Sequence, residues 1–168
     1  HPVKKTGIAK TVRNLEREFI ITYSLSWPEY LFLNGSFALA MASDARVLAP
    51  VLAQPSLPFP LSVQHRHNID CEPEELARVA GRCANEGLRV LGLRFHNDPF
   101  VPAERFRFLK QQLGDGFVAV ELPASSRHPN GPLPFAHSVL TGDLIDEPGE
   151  PTRAVLEQVL NLFRDKLL

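Results

Sequence analysis

Three apolar stretches of strand length alternate with three amphipathic stretches of helix length along residues 46–168, and this alternation limits the fold more than any other property of the chain. The first strand-like run is Arg46 to Gln54, closed by Pro55 and the loop Pro58-Phe59-Pro60, with Pro50 inside it as a residue that cannot donate to a ladder. Residues 73–86 start with Pro73 among Glu72, Glu74 and Glu75, place Leu76, Val79, Ala80 and Cys83 on one face, and stop at Gly87; these are the start and stop signals of a helix. Leu88 to Phe95 reads as a second strand, broken at Asn97-Asp98-Pro99. From Pro102 a helix carries Phe106, Leu109 and Leu113 and should end at Gly114. Phe117 to Leu122 is a third strand that ends at Pro123, and Pro151 to Leu168 is a closing helix with Val155, Val159, Leu162 and Phe163 on one stripe. Such an order is the mark of parallel βαβ units, so the expected architecture is α/β, a mostly parallel sheet with helices on both faces.

Upstream of residue 46 only Ser36 to Ser43, rich in helix formers after Asn34-Gly35, reads as a short buried helix beginning at a tight turn. Phe19 to Ser26 has the β-branched and aromatic content of one strand, and Trp27-Pro28-Glu29-Tyr30 reads as a turn. The chain therefore divides into a poorly matched segment, 1–34, and an organised domain, 35–168. Its 168 residues suit one domain with a real core rather than two.

Charge and composition exclude several classes of function. A formal net charge of -1 gives no general attraction to nucleic acid or to an anionic membrane, and the basic cluster at Lys4-Lys5 and Lys10 to Arg13 reads as a solvated end. No apolar run approaches the roughly 20 residues that a membrane span needs. Cys71 and Cys83, without other secretory signs, read as reduced thiols in a cytoplasm, Cys83 as a packing residue on a helical face. The chain starts at His1 rather than at a methionine, with no signal peptide to account for it. No phosphate loop, dinucleotide fingerprint or paired-carboxylate spacing is present, and Gly114-Asp115-Gly116 is a turn. The expectation is that no cofactor is bound.

The chemistry-bearing residue with the clearest placement is Asp98, because open α/β sheets keep their sites at the carboxyl ends of their strands. A helix-start or Asx-turn residue is the competing role for it. About forty residues on comes His137 at the head of an ordered stretch, whereas His128 lies in the polar loop Ser125 to Asn130. The order acid then histidine is the one that α/β-hydrolases use. His65-Arg66-His67, with Asp70 and Cys71 nearby, would put two imidazoles on one side of an extended segment; without a second pair at ligand spacing, a polar loop is the better reading than a zinc site.

From about Gly35 onward these pieces resemble the carboxyl-terminal half of an α/β-hydrolase of the dienelactone hydrolase family. Gly35-Ser36-Phe37-Ala38-Leu39-Ala40 is similar to the helix after the nucleophile elbow, and Val47 to Pro55 to the next strand. Gly92 to Arg105 is similar to the acid-bearing segment, and Ala136-His137-Ser138-Val139-Leu140-Thr141 to the histidine segment. The resemblance implies attack on an ester or lactone carbonyl, with His137 as the base and Asp98 as the acid that selects its tautomer and stabilises the imidazolium. A small-molecule ester or lactone would be the substrate.

The nucleophile is where the chain departs from this pattern. Aligned on Gly35-Ser36-Phe37, the family's nucleophile position falls on Phe32, and phenylalanine cannot attack a carbonyl. Ser36 is the nearest hydroxyl, although it stands where a small packing residue belongs; Ser24 and Ser26 fit less well. Two readings stand open at this level. One is an ester or lactone hydrolase whose nucleophile is Ser36 or is supplied from outside this sequence. The other is a catalytically dead remnant whose exposed sheet edge pairs with a second copy to form a homodimer.

Overall fold

The computed structural model describes residues 34–167, in which three parallel strands form one sheet in the order β1-β2-β3. The elements run α1 (Asn34–Met41), β1 (Val51–Ala53), α2 (Val63–Arg66), α3 (Pro73–Asn85), β2 (Val90–Phe95), α4 (Ala103–Leu113), β3 (Phe117–Leu122) and α5 (Pro151–Leu167). Short 3-10 turns at Gly114–Gly116 and Ala124–Ser126 flank β3. The α/β architecture expected from the alternation is the observed one. The proposed elements 19–26 and 27–30 lie outside the described residues, as does Phe32.

The middle strand explains why the sheet is covered on both sides. All six residues of β2 are buried, and they divide by alternation. Val90 belongs to a core cluster with Leu39 of α1 and Ala42 just after it, Leu76 and Val79 of α3, and Phe106, Leu109 and Leu113 of α4. Leu91, Leu93 and Phe95 belong to the opposite cluster, with Ala136, Val139 and the α5 stripe Val155, Val159 and Phe163. Burying a Leu or Phe side chain contributes about 1.5–3 kcal/mol, so the two stripes of this one strand fix α4 and α5 on opposite faces. Gly92 is the position where a side chain has no room. A Cβ there would lie 2.5 Å from the Phe117 ring, which packs edge-on against Phe106 at a centroid distance of 5.4 Å.

The structure corrects the sequence reading at β1 and just after it. The run Arg46 to Gln54 yields only three paired residues, because Pro50 ends the ladder on the donor side while its carbonyl still accepts from the Leu91 N–H (3.0 Å). The segment around His65 and His67 is not a plain loop. Ser62 caps the single turn of α2 by accepting from the His65 N–H (3.1 Å). The remaining helices keep to their sequence signals: Pro73 in the first turn of α3, and Gly114 at φ 57° ending α4. Cys83 packs against the first core cluster, and a Cβ on Gly116 would collide with it at 2.4 Å. Both cysteines are free thiols. Among the described residues no helix is long and apolar enough to cross a membrane.

Candidate functional site

The site begins where β2 runs out. Past Phe95 the chain turns through Asn97, which adopts φ 60°, a left-handed conformation that asparagine tolerates better than most residues. This turn buries Asp98 at the carboxyl edge of the sheet. The two carboxylate oxygens then divide their work. Oδ1 accepts from the Phe100 N–H (2.9 Å), closing an Asx turn, and Oδ2 accepts from Nδ1 of His137 (2.7 Å). The Asx-turn role and the contact with a histidine are thus both present at Asp98, on different oxygens, whereas the helix start falls later, at Pro102 before α4.

Asp98 and His137 are brought together with both side chains fully enclosed. Donation from Nδ1 to the carboxylate leaves Nε2, also buried, as the ring nitrogen with a lone pair. The imidazole is walled by aromatic edges: Phe100 at 5.6 Å and Phe135 at 6.4 Å between centroids, with Phe59 continuing the row at 5.9 Å from Phe100. Two buried guanidiniums, Arg94 and Arg105, feel the Asp98 charge, which opposes the effect of burial on each of them.

Arg105 holds the surrounding loops. It is fully buried and donates to five carbonyls: Asn68 (2.7 Å), Pro55 (2.7 Å), Phe100 (3.3 Å), His65 (2.9 Å) and Pro58. Its Nη1 therefore joins the chain after β1 to the turn that carries Asp98. Burial pulls the guanidinium down to about 10, still far above neutrality, so it remains a cation at physiological pH. Gln54, at the end of β1, sits at φ 41° and is buried, with its Oε1 unpartnered among the described residues.

The histidine is held from its backbone as well as from its ring. The N–H groups of His137 (3.0 Å) and Ser138 (2.9 Å) both donate to Oδ2 of Asp143, a fully buried carboxylate whose Oδ1 lies 3.2 Å from Nε of Arg127. Arg127 in turn donates to the Leu133 carbonyl at 2.6 Å.

The other sequence candidates have different employments. His128 is half-buried in its loop and accepts from the Asn130 N–H (3.1 Å). His65 and His67 donate to the carbonyls of Phe59 (3.1 Å) and Val63 (2.9 Å), and no group of three or more His, Cys, Asp or Glu among the described residues is arranged to hold a metal ion. Ser36 is buried in the first turn of α1, where its hydroxyl donates to the Leu57 carbonyl at 3.4 Å.

Arg105, Arg127 and Asp143 escaped the sequence reading. Arg105 and Asp143 do stand within or beside the segments on which the resemblance rests, but an arginine on a helix and an aspartate after Thr141-Gly142 carry no outward sign of their burial. No protein-family model, curated protein or solved structure matches the chain.

Proposed function

We propose that this chain carries the acid and base of an α/β-hydrolase of the dienelactone hydrolase type, acting on the carbonyl of a small ester or lactone. The observation that carries the reading is the 2.7 Å contact between Asp98 Oδ2 and His137 Nδ1, buried at the carboxyl edge of a parallel strand. In this reading a hydroxyl or thiol, supplied by Ser36 or from outside this sequence, attacks the carbonyl; His137 accepts its proton at Nε2 and returns it to the departing alkoxide, while Asp98 holds the tautomer and balances the imidazolium charge. The aromatic edges of Phe100 and Phe135 lower the local dielectric, which strengthens that charge balance.

A second reading, a catalytically inactive remnant that associates with another copy through its sheet edge, draws its support from Ser36. A hydroxyl that donates to the Leu57 carbonyl is engaged away from nucleophilic work. Hydrolysis of phenyl acetate separates the two. The hydrolase reading expects turnover above the buffer rate that falls by about 10²-fold or more in His137→Gln and in Asp98→Asn, the scale of a lost general base. Turnover indifferent to both substitutions overturns it in favour of the remnant, for which light scattering should then give twice the chain mass. Loss of that turnover in Ser36→Ala would make Ser36 the nucleophile, and turnover that survives the substitution would place the attacking group elsewhere.

A further inference from the structure

The polypeptide around His137 is folded onto a carboxylate that belongs to the same loop. Two successive peptide N–H groups, those of His137 and Ser138, converge on Asp143 Oδ2, a concave arrangement that suits an anion. The loop closes on itself as well, since the Asp143 N–H donates to the Ser138 carbonyl (3.0 Å) and the His128 N–H to the Asp143 carbonyl (2.9 Å). Asp143 is completely buried, so its charge must be met inside the protein, and Arg127 meets it at 3.2 Å. That guanidinium also donates to the carbonyls of Leu133 (2.6 Å) and Gly131 (3.4 Å), on the strand of chain that leads to Phe135. Gly131 passes so close that a Cβ there would fall 2.0 Å from Asp143 Oδ1.

We propose that Asp143, paired with Arg127, is a positioning residue for His137: it fixes the peptide from which the imidazole springs and thereby sets the short contact of Nδ1 with Asp98. The catalytic meaning of this role rests on the hydrolase reading above; the geometric claim does not. The two carboxylates act at right places for a division of labour, Asp98 on the ring and Asp143 on the backbone. A ring held only by Asp98 would be free to swing about its Cα–Cβ and Cβ–Cγ bonds as the loop shifted. Arg127 extends the same control to Phe135, whose ring packs edge-on to the imidazole, because it grips the carbonyl two residues before it.

The test reads the His137–Asp98 hydrogen bond directly. A proton in a 2.7 Å bond between imidazole and carboxylate is strongly deshielded, so proton NMR of the intact chain should show one far-downfield Nδ1–H resonance, identified by its absence in His137→Gln. In Asp143→Ala the resonance is expected to vanish or broken exchange protection to erase it, while methyl resonances of Val155 and Val159 in the α5 core stay in place. Asp143→Asn, which keeps an acceptor for the two N–H groups, is expected to restore it in part. A folded Asp143→Ala protein with the resonance unchanged overturns the proposal. Should Asp143→Ala fail to fold, Arg127→Gln decides: a weakened or shifted resonance supports the role, and an unchanged one overturns it. Absence of His137-dependent ester turnover, with the resonance still lost in Asp143→Ala, would defeat the hydrolase reading and leave the positioning role standing.

Discussion

Asp98 and His137 are thirty-nine residues apart in the chain and 2.7 Å apart in the fold, and neither side chain is exposed to solvent. The pairing is made by two separate devices. A left-handed turn at Asn97 delivers the carboxylate to the edge of β2, and the loop closed by Asp143 delivers the imidazole over it.

Because both groups are enclosed, removing one strands the other. Asp98→Ala leaves the His137 Nδ1–H and the Phe100 N–H without their acceptor, and each buried donor so abandoned costs about 1–3 kcal/mol. We expect urea unfolding to show a loss of about 2–5 kcal/mol for Asp98→Ala. Asp98→Asn, which retains an acceptor oxygen, should lose less. A double-mutant cycle with His137→Ala should return a coupling above about 1 kcal/mol; additive losses would mean that the contact has no energetic weight.

A second prediction concerns the opposite side of β2. Gly92 is required by the Phe117 ring, whose nearest atoms would stand 2.5 and 2.7 Å from an added Cβ, with Phe106 Cζ at 3.3 Å. Overpacking of this kind costs about 1–3 kcal/mol, so Gly92→Ala should lower the thermal midpoint by several degrees. Phe117→Leu, destabilising alone, should be less so in the Gly92→Ala background. A Gly92→Ala protein as stable as the parent would show that the two rings move aside freely.

How much of this was legible follows the kind of partner each residue has. β2 was readable because Leu88, Val90, Leu91, Leu93 and Phe95 make a run of strand length, and Asp98 because it follows that strand closely. The helices were readable through Pro73, Gly87 and Gly114, whose backbone demands are local. β1 was overestimated in length: Pro50 was legible as a residue that cannot donate to a ladder, but not that pairing starts only after it and lasts three residues. Arg105 and Asp143 were invisible for a common reason. Arg105 reaches only carbonyls, from Pro55 to Phe100, and Asp143 Oδ2 the N–H groups of His137 and Ser138, and a peptide group leaves no mark on the sequence of side chains; the one side-chain partner, Arg127 on Asp143 Oδ1, is a pairing that nothing in the order of residues announces. Phe32, on which the nucleophile question turns, lies outside the described residues.

Cys71 offers a check on a single group's environment. Burial first, and Glu75 second, push its thiol up to about 12 from an ordinary value of 9.0. Little thiolate is then present at pH 8.5, so alkylation by iodoacetamide should be at least tenfold slower for Cys71 in the folded chain than in urea. Glu75→Gln should speed it. The sign for stability follows from the same shift. Below pH 9 both folded and unfolded chains hold the proton; between 9 and about 12 the unfolded thiol loses it while the folded one keeps it, so this group's contribution to stability falls as the pH rises through that window. Alkylation as fast as in urea would place the thiol in water, away from Glu75.

The last prediction tests whether Arg105 is needed for its shape or only for its charge. Its five N–H directions reach carbonyls on both sides of the site: Pro55, Pro58, His65 and Asn68 from the segment after β1, and Phe100 from the turn at Asp98. A lysine supplies the same charge but three donors on one nitrogen, which cannot span acceptors so far apart. Arg105→Lys should therefore leave several buried carbonyls unpaired and cost about 3 kcal/mol or more, close to the loss in Arg105→Met. The damage should also be directional. Freed from Pro55 and Phe100 together, the chain after β1 should gain amide hydrogen exchange before β2 and β3 do, because those strands are held by their own ladder. A lysine variant as stable as the parent, with exchange unchanged across residues 55–68, would reduce Arg105 to a buried charge and return the ordering of the site to Asp98 and Asp143 alone.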